Sequence, residues 1–165
     1  MKRIMKQLAV CAVLSLVCIC AHAQSKAFNK LAKIDGVEFV HIDKTMLEVA
    51  AEQGNGVQVG DIINLGNTAS EIIKVIDDIM VFHCEEEESA AKLKKSAQKL
   101  LKGKKWQTLV DMNGEDGETV KICQAKEGDK TINVIMSVED DEAQLVVING
   151  TLDLSELLKK MSGTN

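Results

Sequence analysis

The spacing of apolar and polar residues changes period along this chain, and each change marks a predicted element. "GVEFVHI" (36–42) gathers β-branched and aromatic residues between Gly36 and Asp43 and predicts a strand. "DIMVF" (78–82) is a short continuous apolar run of the buried-strand kind. From 85 to 102 the period becomes helical. At about 100° per residue, Ala90, Leu93, Ala97, Leu100 and Leu101 share an arc about 100° wide. Glu88, Lys92, Lys95, Lys99 and Lys102 fall on the opposite side. This predicts an amphipathic helix with a solvated charged stripe, stopped by a left-handed Gly103.

Beyond that helix the period shortens to two. "WQTLVDM" (106–112), "ETVKICQA" (118–125), "TINVIMSV" (131–138) and "AQLVVIN" (143–149) predict four strands. The links "NGEDG", "KEGDK" and "EDDE" are short enough only for antiparallel hairpins, so the four form a meander. Ile132, Val134, Met136 and Val138 alternate with Thr131, Asn133 and Ser137, which predicts one wet face. Asp153 is placed to cap a last helix carrying Leu154, Leu157, Leu158 and Met161.

The N-terminal half carries weaker signals. Phe28, Leu31 and Ala32 predict a short first helix. "TMLE" (45–48) and "TASE" (68–71) have the capping-box pattern and predict two helix starts. "QGNGVQVGDIINLGN" (53–67) holds four glycines and no period, and reads as a long connection. The expected fold class is α+β: a two-layer domain whose mostly antiparallel sheet includes the C-terminal meander, with helices packed beside it.

The first 23 residues change the picture of where the chain works. Lys2, Arg3 and Lys6 precede an apolar run from Leu8 to Cys20, and Ala21-His22-Ala23 follows. This is the pattern of an export signal cleaved between Ala23 and Gln24. The run is short for a bilayer span, and no second one follows, so no transmembrane span is expected in the mature chain. Lipidation at Cys18 or Cys20 is the alternative; Val17 and Ile19 stand where a small residue is expected. Cleavage leaves residues 24–165 as a single α+β domain of 142 residues, long enough for a real core. Its 17 basic residues face 25 acidic ones, a net charge near −8. An acidic, exported chain is poorly suited to nucleic acid, whose binding rests on cationic contacts to phosphate. Of the five cysteines, Cys84 and Cys123 remain. They either form one disulfide, as an oxidising compartment permits, or serve as two small buried hydrophobes.

"FHCEEEES" (82–89) is the stretch most suggestive of chemistry. Its glutamates are explained without a ligand. They open a helix whose lysines come later, the order the helix dipole favours, and Glu88 with Lys92 makes an i, i+4 pair. No HxxxH, CxxC or HExxH spacing accompanies His83 and Cys84, so no metal site is assigned. "DMNGEDGE" resembles a calcium loop, but Asp116 stands where the loop needs glycine and Ile122 where it needs a bidentate glutamate. His41 and His83 read as structural. Cys84 beside a helix start is either an activated thiol or a buried one. With three Phe, one Trp and no Tyr, the chain offers no stacking platform for bases or sugars.

The order of these pieces resembles a family. "FNKLAKIDGVEFVHIDKTML", "DDIMVFHCEEEESAAKLKKSAQKLL", "WQTLVDMNGEDGETVKIC" and the ending "INGTLDLSELLKK" are similar to the secreted bacterial family called domain of unknown function 4252. The resemblance covers essentially the whole mature chain. It implies a setting near extracytoplasmic-type sigma factors and a role in envelope signalling, and it carries no catalytic or binding residues. Two functional readings follow. The first is a non-enzymatic exported protein that binds a protein partner in the cell envelope and needs no cofactor. The second is a periplasmic thiol- or histidine-dependent enzyme using Cys84 or His83. They are separated by whether His41, His83 and Cys84 converge on one pocket.

Overall fold

A computed structural model describes residues 27–52, 58–59, 63–64, 69–114 and 117–161. The export pattern at residues 1–23, with Ala23 and Gln24, lies outside them, as does most of the 53–67 connection. At the N-terminal end of the described residues the contacts are hydrophobic. Phe28 and Leu31 are buried, and Phe28 packs edge-on against Trp106 with ring centroids 6.2 Å apart. Where the first helix is expected, Ala27 and Phe28 are helical and a 3-10 turn, Leu31–Lys33, follows.

The elements that follow are β1 (Glu38–Asp43), α1 (Lys44–Glu52), the two-residue strands β2 (Gln58–Val59) and β3 (Ile63–Asn64), and α2 (Ala69–Lys74). Next come β4 (Ile76–Cys84), α3 (Glu87–Leu101), β5 (Trp106–Asn113), β6 (Thr119–Glu127), β7 (Lys130–Glu139), β8 (Glu142–Gly150) and α4 (Leu154–Met161). Six strands form one open antiparallel sheet in the order β1-β4-β8-β7-β6-β5, while β2 and β3 pair only with each other. The α+β class and the C-terminal meander match the expectation. The sheet order adds a crossover: α3 carries the chain from β4 to the far edge, and the meander returns so that β8 lies beside β4.

Alternate residues of the central strands feed two cores, because successive side chains point to opposite faces. On one face Met80, Phe82, Cys84, Val134, Leu145 and Val147 meet Ala90, Leu93 and Ala97 of α3. On the other, Ile79, Val81, Val146 and Ile148 meet Leu47 of α1 and Ile73 of α2. The helices beside the sheet are thus divided between its faces. This explains why β4 and β8 are mostly buried while β1 and β5 are not.

Four local expectations need correction. The cap of α1 is Asp43, not Thr45: Met46 N–H donates to Asp43 Oδ1 at 2.9 Å and the helix begins at Lys44. Gly103 is not left-handed; α3 ends through a right-handed Lys102 (φ −76°), and Trp106 N–H closes a turn on the Gly103 carbonyl at 3.1 Å. His83 and Cys84 belong to β4, not to a helix start. The face of β7 expected to be wet is not. Thr131 and Asn133 are buried and donate to the Leu152 carbonyl at 2.6 and 2.9 Å, and Gln124 donates to Asn133 Oδ1 at 2.8 Å. The segment entering α4 folds over these groups and supplies an acceptor to two of them, as most buried polar groups require.

Candidate functional site

The residues that looked most chemical are kept apart by the sheet. His83 and Cys84 are neighbours on β4 and therefore face opposite sides. His41 pairs with Met80, four residues along β4 from Cys84, which is about 13 Å of strand. His83 lies between two carboxylates, with Nε2 3.3 Å from Glu85 and Nδ1 3.7 Å from Glu142. Cys84 is buried, its thiol facing the Ala143 carbonyl at 3.7 Å. Burial pushes that thiol pKa up, and the charges of Glu142 and Glu86 add to the effect, so the thiolate is disfavoured. Among the described residues no three His, Cys, Asp or Glu side chains are placed to hold a metal ion.

The disulfide considered for Cys84 and Cys123 is not formed: both are free, buried thiols. Strands β8 and β7 lie between them, and three strand spacings are about 14 Å. A disulfide requires Cα atoms within about 7 Å. Burial also raises the Cys123 pKa. Both residues fill the α3-side core as small hydrophobes.

What the structure does bring together is an open edge. β1 pairs with β4 on one side only, in an unbroken register from Glu38 opposite His83 to Asp43 opposite Asp78. Among the described residues no strand neighbours its outer backbone groups. Phe39 (39% exposed) and His41 project to the α3 side of the sheet. Phe39 stacks on Phe82 with centroids 4.9 Å apart and lies nearly parallel to the His41 ring. His41 Nε2 is 3.5 Å from Asp78 Oδ1, which also accepts from Asn149 at 2.8 Å.

Val40 (53% exposed) projects to the other side, the side on which α1 packs. There Met46 and Val49 are 55% and 47% exposed, and with Thr45 and Ala50 they line a shallow groove of about 290 Å³. Lys44 holds α1 in place: its ammonium donates to the carbonyls of Ile73 and Lys74 at the C-terminal end of α2, at 2.6 and 3.2 Å, and to that of Ile76 at the start of β4, at 2.8 Å. No sequence pattern pointed to that tie, because its partners are backbone atoms about 30 residues away.

The opposite edge is built differently. β5 carries a bulge between Thr108 and Val110, and residues of α4 line a groove with it. A bulge disrupts the ladder and discourages further pairing. The β1 edge has no such device. It has acids at its ends, Glu38 and Asp43, and apolar or aromatic residues between them. That pattern suits addition of a strand better than catalysis.

No described helix is long and apolar enough to cross a membrane. No curated protein matches the chain. A family model described as Domain of unknown function (DUF4252) matches residues 29–159, from just after Phe28 to the middle of α4, and the chain belongs to that family.

Proposed function

We propose that this protein is an exported, non-enzymatic binding module that takes an extended segment of an envelope protein as an added strand on β1. The observation that carries the reading is the unbulged β1 edge, which has no strand neighbour on its outer side among the described residues and exposes Phe39 and Val40 on its two faces. In this mode backbone hydrogen bonds supply affinity, and alternate side chains supply selectivity. The export pattern at Lys2–Ala23 supports an encounter in the periplasm or cell envelope.

The charges select the partner. Antiparallel self-pairing centred on Val40 and His41 would set Glu38 against Asp43 at both ends, and directly opposed like charges are destabilising. The complement is a segment with Lys or Arg opposite both acids and apolar residues between. The enzyme reading is the weaker one: His41, His83 and Cys84 occupy three separate surroundings, and the one thiol among them is held protonated.

A strand-forming peptide with lysine at both ends and alternating valines tests this by amide NMR. The expected result is saturable shifts confined to 38–43 and the flanking α1, weakened by glutamate in place of the peptide lysines. Shifts elsewhere, or no binding with either peptide, would overturn the reading.

A further inference from the structure

Residues 92–105, "KLKKSAQKLLKGKK", hold seven lysines and no acid in a chain whose acids outnumber its bases 25 to 20. The structure places them on α3 and the turn after it. Lys92, Lys95, Lys99 and Lys102 lie within about 80° of arc on the exposed side and span about 15 Å. Lys104 continues the surface beyond the helix end. Lys92 pairs with Glu88 and Lys105 with Glu127. Lys94, Lys95, Lys99, Lys102 and Lys104 have no ion-pair partner among the described residues.

We infer that this lysine face binds the anionic surface of a lipid bilayer, a role separate from strand addition at β1. Two observations choose the bilayer over an acidic peptide. The apolar side of α3 is spent on the core through Ala90, Leu93, Ala97 and Leu101, so the helix offers charge alone and cannot insert. Its outer surface lines none of three grooves found among the described residues, which are lined by α1, by β5 with α4, and by the β5–β6 turn. A peptide needs a groove or an edge, whereas a plane of phosphate headgroups needs only lysines on one side. Basic residues near such a surface contribute additively, at about five-fold in affinity each.

The test uses protein purified from the cells that make it and co-sedimentation with vesicles. Vesicles of phosphatidylglycerol and phosphatidylethanolamine are expected to bind it, and phosphatidylcholine vesicles are not. Binding should fall steeply as salt rises, because exposed charges are screened within about 10 Å at 0.1 M. The Lys95→Gln/Lys99→Gln double variant should lose about 25-fold. Lys74→Gln/Lys130→Gln removes the same charge elsewhere and should lose far less. Equal losses in the two variants, salt-insensitive binding, or no preference for anionic vesicles would overturn the inference. So would tighter binding to soluble polyglutamate than to vesicles, which would make the face a reader of acidic chains.

Discussion

The Ser89 hydroxyl donates to the backbone carbonyl of Asp35 at 2.8 Å, joining the first turn of α3 to a loop 54 residues earlier. Gly36, next in that loop, has φ +79°, and a Cβ there would stand 2.4 Å from Ser89 Oγ. The serine closing "FHCEEEES" is therefore the anchor of that stretch. Ser89→Ala removes this part-buried hydrogen bond and should cost about 1 kcal/mol. Gly36→Ala should cost more, at least about 1–2 kcal/mol, since it adds a left-handed penalty to the clash. In a double-mutant cycle the two costs should fall short of additive, because removing the hydroxyl relieves the clash. Denaturant melts of the four proteins decide it; strict additivity would mean that the two residues do not touch.

Leu93 and Leu100 differ despite sharing a helix face. Leu93 is fully buried and Leu100 only half so. Leu93→Ala should destabilise by about 2–5 kcal/mol and Leu100→Ala by clearly less. Lys95→Ala and Lys99→Ala should stay within about 0.5 kcal/mol. Equal losses for leucines and lysines in urea melts would refute the assigned facing of α3.

The four glutamates should behave as a solvated first turn. The Glu88 carboxyl pKa is lowered by its hydrogen bond and charge contact with Lys92, 2.7 Å away on an exposed surface. Changing Glu85–Glu88 to glutamine should produce a small loss that shrinks further in high salt. After chelator treatment, zinc or calcium should leave the melting temperature of the wild type unchanged. A saturable rise that vanishes in the four-glutamine variant would make this stretch a metal site.

Asp153 gives the fold a component sensitive to acid. Burial alone would raise its pKa. Lys126 (2.5 Å), the Ser155 hydroxyl, Gln124 and the Glu156 amide outweigh that and hold it well below the usual carboxylate range. A depressed folded pKa contributes stability above the unfolded value, near 3.8, and loses it as pH falls through the folded value. Asp153→Asn keeps a good cap and removes the charge. It should cost about 1 kcal/mol at pH 7, a modest figure because Lys126 is exposed. The gap between wild type and variant should close between about pH 5 and pH 2. A gap that is constant across that range would assign the effect to packing.

Cys84 and Cys123 should resist a thiol reagent in the native protein and both react on unfolding, since burial disfavours each thiolate. Oxidant without denaturant should leave the melting temperature unchanged. Rapid native labelling of Cys84 would revive the thiol-enzyme reading.

The amino-acid sequence by itself determined the periods. It placed the amphipathic α3, the four strands of the meander and the Asp153 cap, because each depends on residues within one or two turns or one hairpin. The Asp153 cap is seen in its bonds to the Ser155 and Glu156 amides at 3.0 and 3.3 Å. Only the tertiary structure decided how β1 and β4 join the meander. The crossover of α3 set β8 against β4, separated Cys84 from Cys123 and left β1 at the edge of the sheet among the described strands. It also buried Asn133 and Thr131, polar positions that alternation alone assigns to water, by folding Leu152 over them. These outcomes join residues far apart in the chain, where local spacing carries no signal and the burial of two apolar faces at once sets the arrangement.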